Sequence, residues 1–538
     1  MTSLVELINV GLLAAWLTSV VGLLLLAAVA GYKQGAATSG LYWRIAQNVL
    51  LAVLCLSVAV GIGLILEANL LFTATLRDAG GFLGLYPDGL AVWMAIMVSF
   101  IGWVILRFAD SYLRDDPGRQ RFLPWLLVII GSVCVLVFTN HLMILACAWV
   151  AVSLALHHLL TLYGERPQAR LAAVQKFIVS RIADALVLAG VGLLYSHHGT
   201  FLLPEIVAST ASGGGTGEYP WLASIAFALA AVLKCAQIPF HGWLLRVMEA
   251  PTPVSALLHA GVINLGGFLW LRLFPVFDGF TSGHLVLLVV GGSTAVIAVL
   301  TMMTQSSVKH ALAWSTCAQM GFMLFEIGMG AYTLALLHLL AHSLYKAHSF
   351  LASGRTVSVS SKPGFPATAL RYRLARAGLC ALAAMAIIGM APQLVQNNPV
   401  LAAVLILAVS FSSYGIPSGI SRLNATYLCI LAVALIPGYW LLHFIVAPAI
   451  PAHAPVELPL VAYAIGSVMV TGLLLGTAVT QLSSRYEITR TLCTHFRSGL
   501  YLEQPFDRLT RGLAIESLRM PTLLRPVPKS PSHAEEQS

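Results

Sequence analysis

Long apolar runs constrain the fold of this chain more than any other feature of its sequence. Runs of about 18 or more apolar residues, each able to cross about 30 Å of hydrocarbon, recur along nearly all of the 538 residues. Only 9% of the residues are charged, against about 25% in an ordinary soluble protein. That is too little polar side chain to cover a compact body in water. The sequence therefore predicts an all-α polytopic membrane protein.

These runs predict about fifteen transmembrane helices. The first, 4–30, has no basic segment before it and no small-residue cleavage site, so we expect a span and not a removed signal peptide. The predicted spans are 4–30, 45–66, 89–109, 122–139, 141–163, 171–195, 221–241, 254–274, 283–305, 308–329, 331–352, 374–395, 399–419, 425–447 and 457–480.

The 30 lysine and arginine residues predict the orientation of these spans. Alternate loops, beginning after the first span and including the segment 166–176, hold 17 of them, and the tail after residue 480 holds eight. The opposite loops hold only Arg77 and Arg272. By the positive-inside rule the basic loops and the tail face the cytoplasm, and the N-terminus faces out. The net charge of +9 thus reflects topology, and we expect no nucleic-acid binding.

No motif for catalysis or metal binding is recognisable. The eight cysteines stand singly, without a CxxC pair or metal-ligand spacing, and are expected to be small buried apolar residues. There is no GxSxG or HExxH, and GGGTGE at 213–218 lacks the Lys-Ser/Thr of a phosphate loop and is expected in an external loop, 196–220. We therefore expect no cofactor on this chain, and a transporter subunit instead of an enzyme.

Three basic residues lie deep inside predicted spans, more than five residues from either end, where an ionisable group is costly and usually functional: Arg181, Lys234 and Lys346. Lys234 precedes Pro239 in KCAQIPFHGW, and the proline should break the helix near the lysine. Broken helices at membrane depth line hydrated cavities and ion sites. A buried lysine can release its proton, which an arginine cannot. We favour an ion-transport role for Lys234 over a lysine that merely reaches the membrane surface.

Arg181 and Asp184 are three residues apart on one helical face, which predicts an ion pair. The pair could set the charge state of its neighbours or only orient helices. Glu249 could belong to the ion path or form a cytoplasmic-edge pair with Arg246. His259, ten residues later, could be an ion-path residue or a core histidine.

A polar stripe is predicted in the eleventh span, because His338, His342 and Lys346 recur every fourth residue over about 12 Å. Histidines titrate near physiological pH, so the stripe is a candidate proton relay, with helix packing as the alternative. His348 points away from it. Glu326 could belong to the path or to a helix interface.

Several blocks of the chain resemble the antiporter-like subunits of respiratory complex I and of Mrp-type cation/proton antiporters. They include LKCAQIPFHGWL, MEAPTPVSALLHAGVINLGGFLWLR and LLHLLAHSLYKAHSFLASG, within about residues 100–355. The resemblance implies inverted five-helix repeats, each with a broken lysine-bearing helix. It also implies that Lys234 is the central lysine, that Arg181 and Asp184 are the pair beside it, and that the polar axis contains His259, His338, His342 and Lys346.

Two charges of that family pattern are missing here. Where these subunits have Trp-Glu in the fifth span, this chain has Trp149–Val150, and we expect His157 and His158 to be the candidate substitutes. Beyond Lys346 the only lysines are Lys362 and Lys529, neither in a predicted span, so the distal lysine of the second repeat is absent.

The form HSLYKAHSFLASG and the ending HFRSGLYLEQPFDRLT resemble most the membrane subunit of DAB inorganic-carbon accumulation complexes. That resemblance implies a cytoplasmic DabA-type partner, related to β-carbonic anhydrases and holding zinc, which inward flow of H⁺ or Na⁺ drives to hydrate CO₂. It implies four regions: N-terminal helices 1–110, a conducting core 111–370, C-terminal helices 371–480, and a basic cytoplasmic tail 481–538. In that tail, Tyr501, Pro505 and Phe506 are candidate docking residues.

Two other functions remain open at this point. The chain could be an H⁺- or Na⁺-translocating subunit of a complex I-type dehydrogenase or an Mrp antiporter. It could also be a membrane anchor that conducts nothing and recruits a soluble enzyme, a reading that the missing fifth-span glutamate favours.

Overall fold

Helices form almost all of the described chain. The structure, a computed structural model, describes residues 2–33, 39–70, 76–163, 167–247, 250–353, 370–395, 398–416, 421–451, 456–482 and 486–519. Within them the only β pairings are two isolated bridges, Leu85 with Thr139 and His141 with Leu202. The predicted helical class is therefore confirmed.

The α-helices are α1 Thr2–Tyr32, α2 Gly40–Leu70, α3 Leu76–Phe82, α4 Gly89–Tyr112, α5 Arg119–Phe138, α6 Leu142–Leu160, α7 Pro167–His198, α8 Leu203–Ser209, α9 Glu218–Lys234, α10 Gly242–Arg246, α11 Thr252–Ala260, α12 Leu265–Leu273, α13 Ser282–Thr304, α14 Val308–Gly328, α15 Tyr332–Leu351, α16 Leu370–Met390, α17 Pro399–Tyr414, α18 Arg422–Val446, α19 Leu460–Leu482, α20 Glu487–Arg497 and α21 Gln504–Arg519.

Eleven helices of the described residues are long and apolar enough to cross a membrane, with α11 and α12 counted as one. The four other predicted spans coincide with α9, α14, α15 and α17. Of these, α9 and α17 have 17 and 16 residues, fewer than the roughly 20 that a hydrocarbon core requires. The count of about fifteen spans stays a prediction.

Burial separates the centre of the bundle from its periphery. In the broken helix α11–α12, 94% of the most apolar stretch is buried, against 17% in α18. At the centre, α13 and α14 cross closely, because a Cβ atom at Gly291 would lie 2.7 Å from the carbonyl oxygen of Gly321. Small residues at a crossing let helix backbones approach. This contact fixes α14, which carries several residues of the candidate site.

The predicted break after Lys234 is present. Helix α9 ends at Lys234, and α10 begins only at Gly242, with Pro239 between them. A second break was not predicted. The span 254–274 is interrupted at Gly261, whose φ of −122° and ψ of −76° end α11 directly after the turn that holds His259. The chain resumes with a 3₁₀ turn and α12.

Two loop assignments from the sequence were wrong. The segment 196–220 is largely helical, with α7 continuing to His198, followed by α8 and a π-helical turn at Thr210–Gly214. Arg272 is not in a loop but lies buried in α12, where its guanidinium contacts both carboxylate oxygens of Asp88 at 2.7 and 3.2 Å. A buried arginine needs such a partner.

The cysteine prediction is only partly right. Cys134, Cys235, Cys317 and Cys380 are buried, whereas Cys55 and Cys147 are exposed on apolar helices. A cysteine is small and apolar enough for a lipid-facing surface as well as for a core.

Candidate functional site

Lys234 closes helix α9 with its side chain buried in the bundle. Its Nζ donates a hydrogen bond to Oγ of Ser153 in α6 at 2.9 Å and lies 4.2 Å from the ring centroid of Trp149. The electron-rich face of an indole ring attracts an ammonium group. A hydroxyl and an aromatic ring of α6 therefore contact the ammonium group of Lys234.

The predicted ion pair of α7 is present beside Lys234. Nη2 of Arg181 lies 2.5 Å from Oδ2 of Asp184. The Ser153 hydroxyl donates to Oδ1 of the same carboxylate at 3.4 Å. Asp184 is thus linked to Lys234 through one serine side chain.

Lys176 is the functional candidate that the sequence reasoning missed. It was counted in a basic cytoplasmic loop, but it lies in α7 with 3% of its surface exposed. Its Nζ donates to the carbonyl oxygen of Ser153 at 2.5 Å. A signal existed, because Lys176, Ser180 and Asp184 recur every fourth residue and all are buried. We call Ser153, Lys176, Arg181, Asp184 and Lys234 the lysine cluster.

Of the two histidines of α6, one lies beside this cluster. His157 is within electrostatic reach of Lys176, and its ring centroid lies 5.2 Å from that of Phe177. His158 instead stacks on Trp125 with the ring centroids 3.9 Å apart. Of the two candidate substitutes for the missing carboxylate, only His157 therefore lies near the charged residues around Lys234.

The polar stripe of α15 begins at His338, which pairs with the acid that the sequence left unassigned. Nδ1 of His338 lies 3.1 and 3.0 Å from the two carboxylate oxygens of Glu326, and Nε2 lies 2.7 Å from Oε1 of Gln319. Two ring nitrogens facing oxygen acceptors suit a protonated imidazole. The three side chains border a cavity of about 300 Å³ whose other walls are mainly apolar residues of α17 and neighbouring helices.

The stripe continues through His342 to Lys346. The ring of His342 lies 6.4 Å from that of His338, and both its nitrogens are buried without a hydrogen-bond partner among the described residues. Lys346 is fully buried, and its Nζ donates to the carbonyl oxygen of Leu312 and to Oγ of Ser315, both at 2.9 Å. His348 is exposed, as its position on the helix predicts.

His259 faces this stripe from α11. One ring nitrogen lies 3.0 Å from Oγ1 of Thr316, and the ring stacks on Phe350 at 4.4 Å. His259 lies within electrostatic reach of His342 and Lys346. We call Glu326, His338, His342, Lys346 and His259 the histidine stripe.

Unpartnered polar atoms also mark the segment that follows Lys234. Among the residues that the structure describes, Oε1 of Gln237 and both ring nitrogens of His241 have no hydrogen-bond partner, and the His241 ring packs on that of Trp314 with the centroids 4.9 Å apart. Buried polar groups normally have a partner, and where the protein supplies none, internal water commonly does. His241 stands in the quoted KCAQIPFHGW motif, but its spacing alone gave no reason to assign it.

The C-terminal helix α21 is attached next to the lysine cluster. Arg246 of α10 pairs with Asp507 and lies 3.6 Å from Glu503. Gln175 accepts from Arg246 at 2.9 Å and donates to Asp507 at 2.8 Å. We call Gln175, Arg246 and Asp507 the clasp.

The carboxyl group of Glu503, next to the clasp, lies outside the predicted spans. Its burial is the main cause that raises its pKa. Glu249, predicted as a partner for Arg246 or a path residue, lies outside the described residues, as do Lys362 and Lys529.

The predicted docking residues differ in exposure. Phe506 packs against Phe240 of this chain, with ring centroids 5.5 Å apart. Tyr501 is 43% exposed and Pro505 is also exposed. Within the described residues, no three His, Cys, Asp or Glu side chains converge in a metal-binding arrangement.

Comparison with known families and structures gives consistent matches. A family model described as "NADH:quinone oxidoreductase/Mrp antiporter, TM" matches residues 139–450, and one described as "NADH-Ubiquinone oxidoreductase (complex I), chain 5 N-terminus" matches residues 82–123. The helical arrangement is similar to the "Structure of Mrp complex from Dietzia sp. DQ12-45-1b", with a TM-score of 0.51 and 22% identity over 93% of this chain and 58% of that chain.

Two curated relatives are more similar in sequence. The chain is 43% identical over 321 residues to the "Probable inorganic carbon transporter subunit DabB" of Hydrogenovibrio crunogenus, an alignment covering 60% of this chain and 61% of that protein. It is 36% identical over 511 residues to the "Probable inorganic carbon transporter subunit DabB2" of Halothiobacillus neapolitanus, covering 90% and 92%. The match thus spans about three fifths of the first relative and nearly all of the second.

Proposed function

Because this chain belongs to the antiporter-like membrane subunits shared by NADH:quinone oxidoreductases and Mrp antiporters, and within them to the DabB inorganic carbon transporter subunits, we propose that it conducts H⁺ inward to drive carbon uptake. The flow would drive a DabA-type cytoplasmic zinc protein to convert CO₂ and water into bicarbonate and H⁺. Catalysis would take place on that partner, and this chain would hold no cofactor.

The observation that carries the proposal is the burial of two lysines, each on a polar cluster in the helix bundle. Lys234 is the last residue of α9, directly before the break, and Lys346 ends the histidine stripe. Ionisable groups at membrane depth are costly and mark ion paths. The unpartnered nitrogens of His241 and His342 and the nearby His259 supply further proton-exchanging groups along the route.

We propose that H⁺ enters at the cavity beside Glu326 and His338. This pair would take the place of the distal lysine missing from the second repeat, because it provides a group that can bind and release a proton next to an open space. His342, Lys346 and His259 would connect the cavity to the segment around His241, and Lys234 would receive the proton there. Arg181 and Asp184 would tune the charge at Lys234.

The orientation of the proposed route in the membrane follows from the charge distribution of the loops, and the H⁺ gradient across the membrane would drive the flow inward. The cytoplasmic side is the side where α7 begins and where α20 and α21 lie, with the N-terminus outside. The partner would then bind the exposed surface of the tail, including Tyr501 and Pro505. Phe506 would act indirectly, since it holds α21 against Phe240.

A second function is favoured by the family match itself. The model that matches residues 139–450 is named for NADH:quinone oxidoreductases and Mrp antiporters. As a subunit of either kind, this chain would move H⁺ or Na⁺ without carbon chemistry. The identity of the neighbouring gene separates the two functions. A large zinc-site protein of the carbonic-anhydrase type favours carbon uptake, and a series of antiporter or quinone-oxidoreductase genes favours the alternative.

Growth in ambient air tests the proposal in cells that need added CO₂. The full chain, co-expressed with the zinc protein encoded beside it, should restore growth, and Lys234→Ala should abolish this effect. Lys309→Ala is the matched control, because Lys309 is exposed at the start of α14. Growth of the Lys234→Ala strain at the wild-type rate would leave only the membrane-anchor function.

A further inference from the structure

We propose that Lys176 is the proton acceptor between Lys234 and the cytoplasm, in place of the carboxylate missing from α6. The inference rests on the proposed function, since it assigns the exit step of the same route. The juxtaposition that supports it is a single residue, Ser153, which binds Lys234 through its hydroxyl at 2.9 Å and Lys176 through its carbonyl oxygen at 2.5 Å.

The position of Lys176 along α7 suits an exit step. It lies nine residues from Pro167, or about 14 Å at 1.5 Å per residue, and is therefore nearer than Asp184 to the end of α7 that the proposed orientation places at the cytoplasm. His157, one turn of α6 beyond Ser153 toward the same end, lies within electrostatic reach of it. Lys234, Lys176 and His157 therefore form a sequence of proton-binding groups that leads toward the cytoplasm.

The charge balance of the lysine cluster favours one shared proton over two fixed charges. The charged groups around Lys176 are Lys234 from α9, Arg181 and Asp184 from α7, and His157 from α6. Asp184 is bound to Arg181 at 2.5 Å, so neither lysine has a carboxylate of its own. Two buried ammonium groups without counter-charge would be costly.

The transfer conserves atoms and charge. An N–H bond at Nζ of Lys234 breaks and one forms at Nζ of Lys176, so the total charge of the cluster is unchanged. The proton then leaves Lys176 toward His157, and Lys234 is free to accept the next proton from the histidine stripe. This step requires a side chain that can be neutral, which lysine can be and arginine cannot.

Substitution of Lys176 by methionine and by arginine distinguishes a side chain that exchanges a proton from one that only supplies a fixed positive charge. The full chain, with any subunit that copurifies, is placed in proteoliposomes, and H⁺ uptake is followed with an internal pH dye. Lys176→Met and Lys176→Arg should each slow uptake by about 100-fold, the order of effect of a positioned proton-transfer group. Lys309→Met and Lys309→Arg are the exposed controls and should conduct as wild type.

Wild-type flux in either of two cases overturns the inference. Wild-type flux in both Lys176 variants would make the residue dispensable, and wild-type flux in Lys176→Arg alone would make it a fixed charge. If Lys176→Met is not recovered as a folded protein by size-exclusion chromatography, Lys176→Gln and Lys176→Arg decide the question. Failure of the unsubstituted chain to conduct would contradict the proposed function itself and is thereby distinguished from failure of the Lys176 step alone.

Discussion

The lysine cluster and the histidine stripe both bury basic side chains, but they satisfy them differently. Around Ser153, both lysines have hydrogen-bond partners, and Asp184 is bound to Arg181 and Ser153. Along the stripe, His342 has no partner among the described residues, and Glu326 and His338 border a cavity. In the proposed route, the lysine cluster is therefore the region with the more complete hydrogen bonding. The histidine stripe is the region with unsatisfied polar groups and open space.

Among substitutions that keep both buried lysines, the largest effect is expected in the lysine cluster, where the Ser153 hydroxyl contacts two charged groups. Ser153→Val removes the hydroxyl and with it the contacts with Lys234 and Asp184. We expect H⁺ uptake to fall by about 10- to 100-fold, since hydrogen bonds to charged groups contribute about 1.5–3 kcal/mol. Ser99→Val is the matched control, because Ser99 is equally buried but its hydroxyl bonds only carbonyl oxygens of its own helix.

A smaller effect is expected from Glu326→Gln at the open end. The amide keeps a hydrogen bond to His338 but removes the charge that favours the protonated ring, so uptake should fall by about tenfold. Glu205→Gln, at an exposed acid bound to Thr200, should have no effect on uptake. A larger loss for Glu326→Gln than for Ser153→Val would reverse the proposed contrast between the two regions.

The contacts of the clasp predict that a substitution at Asp507 weakens the attachment of α21 without changing the histidine stripe. Asp507→Asn weakens the contact with Arg246 and should loosen α21 by about 1–3 kcal/mol, seen as faster proteolysis between α20 and α21. Glu487→Gln breaks an exposed pair with Arg490 at 4.0 Å and should leave proteolysis unchanged. Equal proteolysis of both variants and the unsubstituted chain would show that the clasp does not hold the helix.

The smallest effect is a pH dependence of the same attachment. Burial raises the pKa of Glu503, so the folded state binds its proton more tightly than the unfolded state. Attachment of α21 should therefore weaken slightly as pH rises through the window between the ordinary and the raised pKa of this carboxyl. Proteolysis of Glu503→Gln should lack this pH dependence, and an unchanged dependence would assign it to another group.

Local patterns predicted more of the site than distant contacts did. The break at Pro239, the Arg181–Asp184 pair and the His338–His342 stripe depend on residues within one helix or turn, so periodicity and proline chemistry reveal them. The clasp joins Gln175 and Asp507, which are 332 residues apart, and no local pattern brings them together. The cavity beside Glu326 likewise depends on how α14 packs against α17.

Lys176 shows why burial could not be inferred from charge alone. The positive-inside rule assigns a lysine near a helix end to a cytoplasmic loop. Lys176 lies on the face of α7 that packs against α6, where the carbonyl oxygen of Ser153 receives it. The four-residue recurrence of Lys176, Ser180 and Asp184 indicates a shared face of α7, but only the packing of the two helices shows that this face is buried.

The break at Gly261 was missed because glycine is common in transmembrane helices that do not break.

The most direct test of the central claim is H⁺ uptake by proteoliposomes that contain the unsubstituted chain, Lys234→Met, Lys346→Met or Lys309→Met in parallel. A single route through both regions predicts that Lys234→Met and Lys346→Met each abolish uptake, while Lys309→Met conducts like the unsubstituted chain. Uptake at the full rate after loss of either buried lysine would contradict a route that connects the histidine stripe to the lysine cluster.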